Sequence, residues 1–295
     1  MLVALKVLAS SSANTYMTTP LSPMFATGSP VHGAVIHISH FYHTAVSIPE
    51  YFAANGYQNP TDALDGPFNF AHACKGSTYF EYVARPGNER LSHAFNQTME
   101  MKKGTEEDDF AVAYPSADRL QNGDSERVLF VDVGGNMGHQ VRRFAETYPE
   151  LKGKLILEDL PQVVEAAKDV PDSIAKVGHD FFTPQPESVR GAKAYYLKMI
   201  LHDWPESQAK KILENIKDAM ADDSVVLVHE AILPDTGVGH MEAKLDWHMM
   251  NLGALERTEQ QWSELAESVG LKINGIWLED QGLGRRGMIE MGKKL

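Results

Sequence analysis

With one cysteine in 295 residues, the chain cannot close an intrachain disulfide, and an unpaired thiol suits a reducing compartment, the cytosol by default. Basic residues are scarce beside acids: 27 Lys and Arg stand against 40 Asp and Glu, a net charge of -13. Nucleic acid and anionic membrane surfaces are therefore disfavoured as partners, because both are held by clustered Lys and Arg. A small neutral ligand fits this charge better. Also missing is any run approaching the ~20 apolar residues that a membrane span needs. The opening MLVALKVLASSSA has the outline of a signal peptide, but Lys6 interrupts its apolar run and no basic segment precedes it. A soluble protein is expected. Internal repeats and low-complexity segments are lacking as well.

What is present is 43% apolar content, enough for a real core, in two stretches of different rhythm. From Ser22 to about Lys103 apolar residues recur at helical spacing, as in Pro49 to Ala54 and Arg90 to Phe95. Gly, Pro and Asn break the pattern between them. This predicts a mainly helical part over residues 1–110. The polar run from Lys102 to Asp109 can be a solvated loop or a helix start, the latter preferred because acids favour helix N-termini.

From Arg127 onward short apolar runs alternate with amphipathic segments. Strands are expected at Val128–Val133, Lys154–Leu157, Ala194–Met199 and Val225–Glu230, with helices at Gln140–Tyr148, Pro161–Ala167 and Glu206–Met220. Apolar strands separated by helices specify a parallel sheet covered on both faces, so residues 111–295 are predicted to form a doubly wound α/β domain. The end, Lys272–Glu279 and Gly287–Gly292 around Gln281-Gly282-Leu283-Gly284, reads as a hairpin adding antiparallel strands at the sheet edge.

The first strand runs into Asp132-Val133-Gly134-Gly135-Asn136-Met137-Gly138-His139. Glycine permits the sharp strand-to-helix turn and close approach of a ligand at the carboxyl edge, where open sheets bind cofactors. Asp159 follows the second strand, at the distance where an acid can hold ribose hydroxyls. A nicotinamide cofactor would want glycines where Asn136 and His139 stand, and Asp132 disfavours a polyanion while suiting a ligand with an ammonium group. The loop alone is compatible with a cofactor site or a structural turn.

Several blocks together are more specific. VDVGGNMGH at Val131–His139, LEDLP at Leu157–Pro161, GHDFF at Gly178–Phe182, YYLKMILHDWPE at Tyr195–Glu206, HEAILP at His229–Pro234 and DWHMMNLGALERTEQQW at Asp246–Trp262 resemble, in order and spacing, the plant-type and fungal small-molecule O-methyltransferases. The resemblance implies a class I methyltransferase fold binding S-adenosylmethionine. It places Gly134 under the methionine part of the cofactor, and Asp132, Gly135 and Leu160 are also expected among the cofactor-binding residues. Asp159 is implied at the ribose, Asp180 and Phe181 at the adenine, and Lys198 reaching in from the following strand. Relatives begin with a winged-helix unit that builds a dimer. Leu2–Leu8 resembles its last helix and Tyr16–Ser22 the strand after it, so a homodimer is allowed and most of that unit is missing.

Methyl transfer to a hydroxyl needs an aligned oxygen and a base for its proton. The resemblance assigns the base to His202, flanked by Glu230 and Glu256, with Asp203 and Asn251 lining the acceptor pocket. Read without the family, Asp203 could simply cap a helix and Glu256 could pair with Arg257. His37, His40 and His43, three residues apart, do not readily converge on one metal ion, and no metal is expected. The expected reaction is methylation of a phenolic or enolic hydroxyl of a small secondary metabolite. The alternative is a pericyclase or dehydratase of the same fold, using bound cofactor without methyl transfer.

Overall fold

The apolar opening does not coil into a helix. In the computed structural model, which describes residues 1–103, 114–279 and 285–294, Leu5 and Lys6 donate their N–H groups to the carbonyls of Met1 and Val3 in successive turns. Lys6 is left-handed, with φ 58°, a conformation that terminates a helix rather than continuing it. This corrects the expected helix over Leu2–Leu8. Next come β1 (Leu8–Ser12) and β2 (Thr15–Thr18), paired antiparallel. The expected strand over Tyr16–Ser22 is thus shorter and starts earlier, with Ser22–Phe25 in a 3-10 turn.

The chain divides into two compact units, Met1–Asp108 and Asp109–Leu295. Within the first, helices follow the hairpin: α1 (Pro30–Ala54), α2 (Pro67–Ala71), α3 (Tyr79–Ala84) and α4 (Glu89–Lys103). Ser29 Oγ accepts the His32 N–H to cap α1, and Thr78 with Glu81 forms a reciprocal capping box on α3. Gly33 lets α4 lie close, since a Cβ there would stand 2.4 Å from Gln97 Oε1. Phe41, Phe68 and Tyr79 form an aromatic core. His37 joins it, Nε2 lying 2.6 Å from the Tyr79 hydroxyl, while His40 and His43 pack on the ring of His72. Burial pushes His72 down to about 4, so it packs as a neutral ring. The Lys102–Asp109 run closes α4 with its first two residues, and the remainder lies outside the described residues.

The second unit opens with α5 (Ser116–Arg119) and is built on one sheet. Its strands are β3 (Val128–Val133), β4 (Lys154–Asp159), β5 (Ile174–Gly178), β6 (Ala194–Lys198), β7 (Val225–Leu233), β8 (Arg257–Thr258), β9 (Leu271–Glu279) and β10 (Arg286–Lys293). Spatial order is β5-β4-β3-β6-β7-β10-β9, with β8 alongside the end of β7. β3 to β7 pair in parallel, while β10 pairs antiparallel with both β7 and β9. This is the mostly parallel, doubly wound sheet that the alternation implies, with its antiparallel hairpin at one edge. The turn expected at Gln281–Gly284 lies outside the described residues.

Helices α6 (His139–Thr147), α7 (Pro161–Ala166), α8 (Glu206–Ala219), α9 (His240–Met250) and α10 (Glu259–Ser268) connect these strands. All six residues of β3 are buried, and Phe130 stacks on Phe144 of α6 at 4.2 Å. Short βα connections in a parallel sheet bring the ends of β3, β4, β6 and β7 to one edge. Asp132 pairs with Leu157 and Tyr196, and Lys198 with His229, which lines up the loops that carry the site.

Candidate active site

The turn after β3 is held by the strand beside it. Gly134 and Gly135 donate their N–H groups to the Glu158 carbonyl at 2.8 and 3.1 Å, and the Asn136 N–H goes to Asp159 Oδ2 at 2.8 Å. Gly134, at φ 69°, occupies a region closed to most side chains. Asn136, at φ 54°, adopts the same region, which asparagine tolerates better than other residues with a Cβ. Gly135 is required sterically: a Cβ there would lie 2.6 Å from the Asp132 carboxylate and 2.5 Å from Leu157 Cδ1.

Asp132 is 1% exposed, and its Oδ2 accepts the Val141 N–H in the first turn of α6. Its carboxylate braces the turn through the start of α6. Asp159 takes two backbone donors, Asn136 N–H on Oδ2 and Leu160 N–H on Oδ1. A carboxylate has about four lone-pair positions, so two remain for hydroxyl donors. Burial lifts its pKa in spite of those two N–H groups.

Asp180 and Phe181 sit in the loop after β5, where Asp180 Oδ1 accepts the Phe182 N–H. The Phe181 ring lies 3.7 Å from where a Gly134 Cβ would stand. Leu160, 40% exposed, borders the same edge, and Lys198 ends β6. The named backbone N–H groups at this edge are already taken within the protein. That leaves Asp159 and Asp180 as acceptors beside the Phe181 ring and Lys198, a set that suits a nucleoside with hydroxyl donors.

His202 lies in a 3-10 turn, Leu201–Asp203, just past β6. The ring is buried, and Nδ1 is 2.8 Å from Glu256 Oε1 and 3.8 Å from Glu230 Oε2. On its other side Nε2 is 3.6 Å from Asp203 Oδ1. Glu230 Oε1 accepts the backbone N–H groups of Ile200 and Leu201, each at 2.8 Å. The second oxygens of Glu230 and Glu256 are buried with no hydrogen-bond partner among the described residues. His202, Glu230 and Glu256 offer ligand atoms within 4.8 Å of one another.

The electrostatics follow from this crowding. Burial alone would depress His202, but Glu230, Asp203 and Glu256, with the hydrogen bond to Glu256, outweigh it and push the imidazole up to about 10. Burial lifts Glu230 to about 7, against the pull of His202 and with Glu256 adding to the rise. Burial would raise Glu256 too, yet the charge and hydrogen bond of His202 hold it below the usual carboxylate value. Of the two acids, Glu256 is thus the ion-pair partner.

The structure gathers His202, Asp203, Glu230 and Glu256 in one group and Gly134, Asp159, Leu160 and Phe181 in another, on the same sheet edge. Asn251, fully buried, donates Nδ2 to the Trp247 carbonyl, and its Oδ1 has no partner among the described residues. Asp203 does not cap α8, whose first turn follows Pro205. Nor does Glu256 pair with its neighbour. Arg257 turns away, binding Glu206 and the carbonyls of Leu201 and Trp204 beneath the His202 turn. That staple, and Asp246, whose Oδ1 accepts the Glu256 N–H at 3.0 Å, carry no signal in the sequence beyond lying in the Asp246–Trp262 block.

Comparison with known proteins decides the family. The O-methyltransferase domain family matches residues 60–272. The chain belongs to the S-adenosylmethionine-dependent O-methyltransferase family. O-methyltransferase mfmE of Annulohypoxylon moriforme is 38% identical over 296 residues, covering 98% of this chain and 70% of the relative. Methyltransferase cfoC of Aspergillus candidus and O-methyltransferase ucdC of Aspergillus ustus are 37% and 36% identical, and the chain spans only 57% and 59% of their lengths. Among solved structures, a pericyclic reaction enzyme and LepI in complex with SAM each match with TM-score 0.86 and 29% identity, over 99% of this chain and 74% of theirs. OxaC in complex with sinefungin and meleagrin matches with TM-score 0.85 and 26% identity, over 99% of this chain and 73% of its own. No helix among the described residues is long and apolar enough to cross a membrane.

Proposed function

We propose that this O-methyltransferase family member transfers a methyl group from S-adenosylmethionine to a phenolic or enolic hydroxyl of a small secondary metabolite, with His202 receiving the hydroxyl proton. The observation that carries this reading is the geometry of one ring. Glu256 engages Nδ1 of His202 at 2.8 Å, which fixes the tautomer and directs Nε2 to the proton of an acceptor.

Gly134, Gly135, Asp159, Leu160, Asp180, Phe181 and Lys198 would hold the cofactor, with Asp132 bracing the turn through the start of α6. When bound, the cofactor supplies an electrophilic methyl group on a positively charged sulfur. Asp203 and Asn251 would border the acceptor. An ordinary imidazole near pKa 6.5 facing a phenol near 10 transfers the proton uphill by roughly 4–5 kcal/mol. With His202 lifted to about 10, acceptance becomes nearly even. The cost moves to emptying Nε2, since the raised pKa keeps the imidazole mostly protonated at pH 7. His202 gives up that proton more readily with a cation bound at the same edge, because two like charges oppose each other.

A second reading has its own support. A pericyclic reaction enzyme is a structural neighbour, and an imidazole kept protonated is a hydrogen-bond donor that could polarise a substrate carbonyl without any methyl transfer. Incubation of the protein with methyl-labelled S-adenosylmethionine and a panel of phenolic and enolic acceptors separates the two. Label in the product, matched by S-adenosylhomocysteine, supports methylation. Product that forms while the cofactor is left intact overturns methylation in favour of the second reading.

A further inference from the structure

Two carboxylates face His202, but the Nδ1 atom carries one proton to share between them. Glu256 Oε1 takes it at 2.8 Å, and Glu230 Oε2, at 3.8 Å, is beyond hydrogen-bond reach. Glu230 is occupied elsewhere. Its Oε1 accepts two consecutive backbone N–H groups, from Ile200 and Leu201, while the Met199 N–H goes to the carbonyl of His229, the preceding residue of β7.

The segment gripped in this way begins in an unfavourable conformation. Met199 has φ 55°, a left-handed value for a residue with a long side chain, and such residues persist where their surroundings over-determine them. The same segment reaches the glycine turn, because Ile200 Cδ1 stands 2.6 Å from the position a Cβ on Gly134 would take. Two residues further on comes His202.

We propose that Glu230 is a positioning residue. Its Oε1 holds the 199–202 turn by two N–H groups, seating Ile200 on Gly134 and His202 against Glu256 together, so that one carboxylate sets both the cofactor turn and the proton acceptor. Glu256 alone answers the proton on Nδ1. If the two acids were interchangeable flanking charges, nothing would require one of them to bind backbone. The link to the cofactor turn rests on the function proposed above; the grip on the 199–202 turn stands apart from it.

The test uses the whole chain and three variants. Glu230→Gln keeps a carbonyl oxygen able to accept both N–H groups, Glu230→Ala removes the grip, and Glu256→Gln alters the other acid. Two quantities are measured: amide hydrogen exchange across residues 199–204 without cofactor, and S-adenosylhomocysteine affinity by calorimetry. Glu230→Ala is expected to speed exchange at Ile200 and Leu201 and to weaken affinity, each by roughly tenfold or more, because both backbone N–H groups lose their buried acceptor. Glu230→Gln and Glu256→Gln should stay within about threefold of the unaltered protein in both measurements.

Folded Glu230→Ala with undiminished protection overturns the proposal, as does equal loosening by Glu256→Gln. Should Glu230→Ala fail to fold, Glu230→Gln decides: unchanged exchange and affinity uphold the grip, whereas a roughly tenfold loosening assigns the effect to charge and overturns it. If the unaltered protein does not bind S-adenosylhomocysteine, the proposed function and the link to the cofactor turn both fall, and the exchange data still uphold or overturn the grip.

Discussion

His202 is the side chain whose surroundings say most about its chemistry. Carboxylates face both ring nitrogens, so the ring holds a proton well above the ordinary histidine range. Replacing His202 by Ala should lower methylation by on the order of 10²–10⁴ and leave cofactor affinity nearly unchanged, as read from steady-state rates beside calorimetric titration. Because Nε2 must be empty to accept a proton, the rate should climb with pH through neutrality toward about 10. In Asp203→Asn one carboxylate is lost from beside Nε2, which lowers the imidazole, so the same climb should occur at lower pH; an unmoved profile would exclude this charge from the site. The glycine turn offers a second test. Gly134→Ala places a Cβ at φ 69°, against Ile200, and should weaken S-adenosylhomocysteine binding by roughly tenfold, as left-handed backbone costs a residue with a Cβ about 1–2 kcal/mol.

Secondary-structure elements in this protein were legible where their pattern is local. β3, β4, β6 and β7 each coincide with an apolar run, and α8 with an amphipathic stretch bounded by Pro205 and Met220. β5 (Ile174–Gly178) escaped, because Lys176 interrupts its short apolar run at the outer edge of the sheet. Leu2–Leu8 misled for a different reason: its likeness to the last helix of the winged-helix unit is not matched by the fold, where Lys6 is left-handed. One tie between elements invites measurement. Glu290 on β10, 1% exposed, accepts bonds from the Tyr114 hydroxyl, the Arg119 guanidinium and Asn274, fastening the start of the second unit to the terminal hairpin. Burial would raise Glu290, but Arg119, Tyr114 and Asn274 hold it below its usual value. Tyr114→Phe should cost about 1.5–3 kcal/mol in urea unfolding at pH 7, the range for a hydrogen bond to a charged group. A depressed carboxyl stabilises the fold above its unfolded pKa near 4.3 and loses that contribution as pH falls through the lower folded value. The difference between Tyr114→Phe and the unaltered protein should therefore narrow below about pH 4.

Taken as one chain, the protein carries a net charge of -13 with an isoelectric point near 5.4. It should bind an anion exchanger at pH 7, pass a polyanionic resin unretained, and be least soluble near pH 5.4; retention on the polyanion would reveal a basic face that the composition hides. The alternation of apolar and amphipathic segments already specified a parallel sheet, and the glycine turn and Asp159 after the next strand, which the fold joins at one edge, are set by neighbours a few residues apart. Folding alone settled what happens at the far end of that edge. Positions 202, 230 and 256 meet because β6, β7 and the segment before β8 align across the sheet, and the same alignment gives Glu256 to the imidazole, Glu230 to the backbone and Arg257 to the carbonyls beneath. Which acid takes which partner depends on differences of about an ångström through space, and spacing along a chain does not encode distances of that kind.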